Sequence, residues 1–331
     1  MQISISRHGR TLAASTFSFL ALGATALASD AGAVVSDLRV EAGGQVLTNA
    51  SYTTSDETVV TDRSQPACGG SGQTRALAGE TALGLLASAA ERRSRLQPLR
   101  ISDKFSFGLL VCGAFDFTAS DTSFWLYKVN HRAPEVGAEA LKLSGGEEVL
   151  WYFQDVARNR NTGDELVVEA PARAREGRDV HVTVYAYGMG GARRPAAGAR
   201  VLFGERSTVA DAAGRASGRL SDGEQIRAGR RGDIPSAPVP VCIAASPSDE
   251  CSAVRGKRIY GSDEADRIRG TAGADVIRSG AGNDRVSVRG GGEDRVRCGA
   301  GRRDRVRLGA DDIATNDCEI MNGRRRGSNR G

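Results

Sequence analysis

The stretch 261-GSDEADRIRGTAGADVIRSGAGNDRVSVRGGGEDRVRCGAGRRDRVRLGADDI-313 repeats itself. Asp recurs at Asp266, Asp275, Asp284, Asp294, Asp304 and Asp312, in steps of 9, 9, 10, 10 and 8 residues. Two positions after each of the first five stands a branched apolar residue: Ile268, Ile277, Val286, Val296 and Val306. A period this regular signals the stacked turns of a solenoid, each burying one residue against its neighbours. Glycines crowd the loop before each Asp. Glycine permits positive φ and lets carbonyl oxygens approach an ion, while Asp supplies a carboxylate.

The units SGAGNDRVS and GTAGADVIR resemble the nonapeptide repeats of hemolysin-type (RTX) β-rolls, GGxGxDxUx, which bind Ca²⁺ between loops. The resemblance implies two nonapeptides per coil, with Asp266, Asp284 and Asp304 along one edge and Asp275, Asp294 and Asp312 along the other. The implied calcium ligands are Asp266, Asp275, Asp284 and Asp294 with the carbonyls of Gly273 and Gly282, best placed at Asp275 and Asp284. GSDEADRIR lacks the second glycine, and CGAGRRDRV carries an extra residue that brings Arg302 and Arg303 beside the ion position. GADDIATND leaves the register. The alternative is a metal-free ladder whose Asp row is neutralised by Arg267, Arg269, Arg278, Arg295, Arg297, Arg305 and Arg307. In stacked turns Arg267, Arg285, Arg295 and Arg305 are also expected to align as a stripe suited to an acidic surface polymer. Apart from Tyr260 the ladder has no aromatic residue, so stacking on nucleic-acid bases is not expected.

Upstream, Arg7, His8 and Arg10 precede an apolar run from Leu12 to Leu27 and a small-residue site at Ala26-Leu27-Ala28. This reads as a secretory signal over residues 1–28, cleaved before Ser29. The mature protein is expected outside the cell or at its surface, with no transmembrane anchor. The net charge of +5 is too mild to imply nucleic acid by itself. Six cysteines suit an oxidising compartment, and neighbourhood in sequence favours Cys68–Cys112, Cys242–Cys251 and Cys298–Cys318.

Residues 34–157 read as a β-rich sheet crossed by one helix. SDLRVEAGGQVLTN alternates around Gly43-Gly44 as a hairpin, and Thr81 caps a helix running to Arg92. Strands are expected at Leu99–Ser102, Phe105–Gly113, Phe124–Asn130, Glu139–Leu143 and Glu148–Phe153. The segment DTSFWLYKVNHRAPEVGAEALKLSGGEEVLWYFQD, with its Trp-bearing strand, Val-Asn turn and second aromatic strand, resembles the domain at the C-terminus of transcobalamin and intrinsic factor. That resemblance implies a β-grasp-like α+β fold and binding of a soluble ligand. Trp125, Tyr127 and Trp151 alternate onto one side of their strands, where with Asn130 they are the candidate ligand face; the competing reading is core packing. Asn130 and His131 read as turn residues, His131 exposed.

PAAGARVLFGERSTVADAAGRASGRL, within residues 165–243, resembles bacterial immunoglobulin-like and carboxypeptidase-regulatory-like modules. It implies a β-sandwich spacer in which Asp211 and Gly214 serve a turn. A linker at 244–255, the repeats at 256–321 and a basic tail at 322–331 complete a mainly β chain ending in a parallel β-roll. The sequence holds no G-x-S-x-G and no H-E-x-x-H, and two histidines beyond the signal leave little for general-base chemistry. The expectation is a non-enzymatic, secreted or surface modular protein, with a purely structural protein or an extracellular hydrolase as alternatives.

Overall fold

The computed structural model describes residues 33–156, 163–245, 255–288 and 292–325. It is mainly β, with 46% strand and 5% helix. Strands Val35–Ala42 and Gln45–Thr53 form the hairpin, turning at Gly43 and Gly44, whose φ values of 56° and 77° suit glycine. Glu148–Asp155 lies parallel beside Val35–Ala42 and antiparallel to Ser123–Val129. Helix Ala82–Arg92 packs on this sheet. Every residue from Ala82 to Ala90 is buried, and the Thr81 hydroxyl accepts from the Gly84 amide. A helix apolar on all sides belongs in a core, and Leu83 and Leu86 share one buried cluster with Leu38, Val40, Tyr52 and Trp151. Cys68 and Cys112 are bonded, as the sequence suggested.

Two expected strands differ. Phe105–Gly113 is strand only from Leu110, and Glu139–Leu143 is not strand at all. The second segment terminates the helix instead. The Ala138 carbonyl accepts from Leu83 N and the Leu141 carbonyl from Ala82 N, so two of the helix's orphan amides are satisfied here.

Residues 165–244 form two larger sheets facing each other, with a small parallel pair of Arg173–Arg175 and Cys242–Ala244 beside them. In one, Asp179–Tyr187 lies between Glu165–Glu169 and Arg193–Pro195 and also pairs with Arg215–Arg219. In the other, Arg200–Phe203 lies between Arg206–Val209 and Gln225–Gly229. Val182, Val184, Val201, Phe203 and Ile226 fill the space between them. Asp211 Oδ1 accepts from the amides of Ala213 and Arg215, and Gly214 has φ 75°, so both residues build a turn.

This sandwich docks on the face of the first sheet away from the helix, through buried ion pairs. Arg39 donates to Glu165 at 2.7 Å and to the Pro235 carbonyl at 3.2 Å; Arg227 reaches Glu41 at 2.9 Å. Burial pushes the Glu41 carboxyl up to about 7 despite the two guanidinium groups beside it. The folded chain therefore keeps a proton that the unfolded chain releases, and this group's contribution to stability falls as pH rises from 4.5 to about 7. Glu41→Gln should flatten the fall of the thermal midpoint across that window; an unchanged slope would refute the assignment.

The last part of the chain is a parallel roll. Arg255–Tyr260, Ala274–Arg278, Arg295–Arg297 and Ile313–Ala314 stack in one sheet. Arg267–Arg269, Arg285–Ser287, Arg305–Arg307 and Ile320–Met321 stack in the other. Ile259, Ile268, Ile277, Val286, Val296 and Val306 are buried between them, and the Cys298–Cys318 bond closes the far end. The first roll sheet does not stop at its own first strand. Arg255–Tyr260 pairs in parallel with Gln45–Thr53 (Ser51 opposite Ile259, Tyr52 opposite Tyr260), giving one continuous eight-stranded sheet. The Tyr52 and Tyr260 rings stack at 5.1 Å, with the Arg93 guanidinium over Tyr260. Residues 1–28 and Cys251 lie outside the described residues, so the signal segment and the Cys242–Cys251 pair are not placed.

Candidate metal centre

Along the roll the alternation after each Asp puts Asp and the branched residue on the inner face and the residue between them on the outer; in the first five units that residue is Arg in all but one, where it is Val276. Asp275, Asp284, Asp294 and Asp304 are fully buried, and Asp266 nearly so. Arg267, Arg269, Arg278, Arg285, Arg305 and Arg307 are exposed and form no ion pair with the Asp row among the described residues. Arginine therefore does not neutralise the ladder; the alternation of the strand puts the two charges on opposite faces. The expected stripe is corrected for a similar reason. Arg267, Arg285 and Arg305 are in register on one sheet, whereas Arg295 belongs to the other.

Backbone amides take the place of the arginines. The amide of Asp266 donates to Asp284 Oδ1 at 2.9 Å and that of Asp284 to Asp304 Oδ1 at 2.8 Å. On the opposite edge Asp275 N donates to Asp294 Oδ1 at 2.7 Å and Asp294 N to Asp312 Oδ1 at 3.1 Å. Each coil thus ties its carboxylate to the coil before it, and Asp residues alternate between the two edges.

The second carboxylate oxygens divide into two groups. Asp266 Oδ2 accepts from the Ser262 amide at 2.6 Å, and the Thr271 amide and hydroxyl donate to the Asp275 carboxylate. Asp284, Asp294 and Asp304 each keep Oδ2 buried with no hydrogen-bond partner. The difference lies four residues before each Asp. Ser262 and Thr271 carry hydroxyls that close the loop onto the carboxylate; Gly280, Gly290 and Ala300 carry none. An unpaired oxygen in a buried site is costly unless something binds it. Burial raises the Asp284 and Asp294 carboxyls to about 6 and raises Asp304 as well.

The loop column beside Asp304 supplies more oxygen. A Cβ added at Gly301 would overlap both Asp304 Oδ2 and the Gly282 carbonyl, so these two oxygens face one small space kept open by the glycine. Arg302 and Arg303 point to solvent and leave it clear. Oxygen-only donors of this kind, carboxylate plus carbonyl, suit Ca²⁺. Among the described residues no three acidic, His or Cys side chains converge on one point, so carbonyls must complete any such shell. Of the sequence candidates, Asp284, Asp294 and Gly282 sit at free oxygens, while Asp266 and Asp275 are already hydrogen-bonded and Gly273 belongs to the satisfied Thr271 loop. Asp304, which the sequence reading passed over for its neighbouring arginines, joins the group.

The aromatic candidates sit elsewhere. Trp125 and Trp151 are each 3% exposed, packed against the helix side of the sheet, and Tyr127 stacks on Trp151 while donating to the Val136 carbonyl. They fill the core and do not line a groove, because their side of the sheet is the one the helix covers. Asn130 and His131 both have positive φ, 47° and 67°, and Asn130 Oδ1 accepts from Glu148 N. His131 is not simply exposed: its ring stacks on Tyr187 at 4.3 Å and lies 3.1 Å from Glu165, whose carboxylate raises its pKa. A cavity of about 590 Å³ opens on that side of the sheet, lined by Arg39, His131, Glu148, Glu165 and Lys257.

The family model described as RTX calcium-binding nonapeptide repeat (4 copies) matches residues 260–295, and a domain of unknown function, DUF4430, matches residues 113–155. No curated protein matches the chain. The crystal structure of haptocorrin in complex with Cbi is similar over 38% of this chain and 25% of that one, at 12% identity and a TM-score of 0.25. The chain therefore spans about a quarter of that protein's length.

Proposed function

We propose that this is a secreted or cell-surface, non-enzymatic modular protein whose C-terminal roll is held together by calcium. The observation that carries the reading is the set of three buried, unpartnered oxygens on Asp284, Asp294 and Asp304, the first two within the residues matched by RTX calcium-binding repeats and the third on the next coil beyond them. Bound calcium would supply the positive charge that lets these carboxylates stay ionised in the roll. Asp304 with the Gly282 carbonyl, and Asp284 on the coil before it, would hold calcium along one edge of the roll, and Asp294 would do so separately on the other. RTX repeats and disulfides are typical of extracellular proteins, and among the described residues no helix is long and apolar enough to cross a membrane.

The test is a thermal melt of the chain in calcium and in chelator. Sites of extracellular affinity, Kd about 10⁻⁴–10⁻³ M, contribute roughly 0.4–1.4 kcal/mol each at about 1 mM calcium. The midpoint should rise in calcium, and Asp304→Asn or Gly301→Ala should shrink the rise. Identical midpoints in calcium and chelator would favour a metal-free structural roll.

A second element of the proposal is recognition of a soluble ligand by the N-terminal part. The cavity bordered by Arg39, His131, Glu148, Glu165 and Lys257 supports it better than the aromatic strands do, since it combines accessible space with charges of both signs.

A further inference from the structure

The two outer faces of the roll are not alike. On the sheet of Arg295 and Arg297 the arginines have acidic partners: Arg295 lies 3.4 Å from Glu293 and Arg297 3.8 Å from Asp317. The register neighbours of Arg295, Val276 and Ile313, are apolar, and Arg297 stands opposite Arg278, so this face carries a single arginine pair and no row of three. On the other sheet Arg267, Arg285 and Arg305 stand directly opposite one another on successive strands, and Arg269, Ser287 and Arg307 form the row beside them. All five arginines are exposed, and none has an ion pair among the described residues. Neighbouring strands are about 4.8 Å apart and alternate residues about 6.6 Å apart, so the five guanidinium groups leave one flat patch.

Like charges placed directly opposite across strands oppose folding. Stacking in the roll needs the inner Ile and Val residues, and it makes no demand for arginine on the outer face; Ser287 occupies the same row. The patch is thus a charged array with no intramolecular use. Its shape also selects a partner. It is flat, so it does not enclose a small anion, and many weak contacts along a chain suit it better. Guanidinium groups pair well with carboxylate and sulfate oxygens. Base stacking has no platform, since the nearest aromatic ring in the roll, Tyr260, is already stacked on Tyr52.

We propose that the face formed by Arg267, Arg269, Arg285, Arg305 and Arg307 binds a linear polysaccharide carrying carboxylate or sulfate groups. The proposal deepens the surface-protein reading and rests on the roll being folded, for which calcium is the proposed support. In the presence of calcium, immobilised polygalacturonate and dextran sulfate should bind the full chain, with affinity falling as salt rises, and neutral dextran should not. The variant Arg267→Ser/Arg285→Ser/Arg305→Ser should lose about tenfold or more in affinity. Each single substitution should lose a few-fold, which keeps the test available if the triple variant folds poorly. Arg295→Ser/Arg297→Ser on the opposite face should bind normally. Equal binding by the triple variant, a loss caused only by the opposite-face variant, or tighter binding to duplex DNA through the same arginines would overturn the proposal. Melts with and without calcium, run on the same samples, score the calcium reading separately from polymer binding.

Discussion

Arg39→Ala is expected to destabilise the chain by about 3–5 kcal/mol, because it leaves a buried carboxylate without its guanidinium. Arg39 is 8% exposed and Glu165 4%, and their 2.7 Å contact joins the first sheet to the sandwich. Glu165 keeps an ordinary ionised state only through its neighbours: burial raises its pKa, and His131, Arg39 and Lys128 bring it back below the usual value. Removing the arginine strands that charge and frees the Pro235 carbonyl at the same time. Replacing both partners should behave differently. Arg39→Met with Glu165→Leu should recover much of the loss, since apolar groups of similar volume can fill a buried ion-pair site at little cost. Chemical denaturation of the three chains measures this, and a loss under 1 kcal/mol in Arg39→Ala would show that the pair is solvated.

Trp151→Ala is the second large effect, about 3–5 kcal/mol, the cost of a cavity where a large aromatic was buried. The same experiment separates core from ligand face. A Trp on a binding surface could be removed with little change in stability and a large change in affinity, whereas this one packs against Tyr127 and the helix side of the sheet. Trp151→Phe should cost far less. The indole Nε1 is buried without a hydrogen-bond partner, so losing it removes an unpaired donor along with the missing volume. Equal losses for Ala and Phe would contradict this packing.

The nine-residue period was enough to place the inward Ile and Val residues, because a solenoid repeats one local rule; the two Asp edges followed from the resemblance to the RTX repeat, and the terminal disulfide from the nearness of its cysteines in sequence. Gly43-Gly44 and Thr81 were equally legible, each being a local backbone signal. Sheet membership of Arg295 was harder: it needs the alternation of strands between two sheets, which a ten-residue step obscures. The free oxygens of Asp284, Asp294 and Asp304 did leave a mark, in the lack of a hydroxyl four residues earlier. That mark has meaning only once the other oxygen is known to be held by the adjacent coil's amide. Glu139–Leu143 looked like a strand because its alternation is real; the Leu141 carbonyl, with that of Ala138 just before the segment, is spent on the helix end instead. Nothing local announces the pairing of Tyr52 with Tyr260, which joins segments far apart in the chain and sets how the roll begins.

That joint has a consequence for parity. The strand Arg255–Tyr260 is fixed in the first sheet by its hydrogen bonds to Gln45–Thr53, so it determines which sheet every later repeat enters. Loss or gain of a single nonapeptide would send all downstream strands to the opposite sheet, moving the arginine face across the roll; only a change between Cys298 and Cys318 would also part the two cysteines. A pair of repeats can be added or removed without that exchange. The roll is therefore free to lengthen or shorten only in even steps, and a chain of this design carries in its repeat number a count that its first strand enforces.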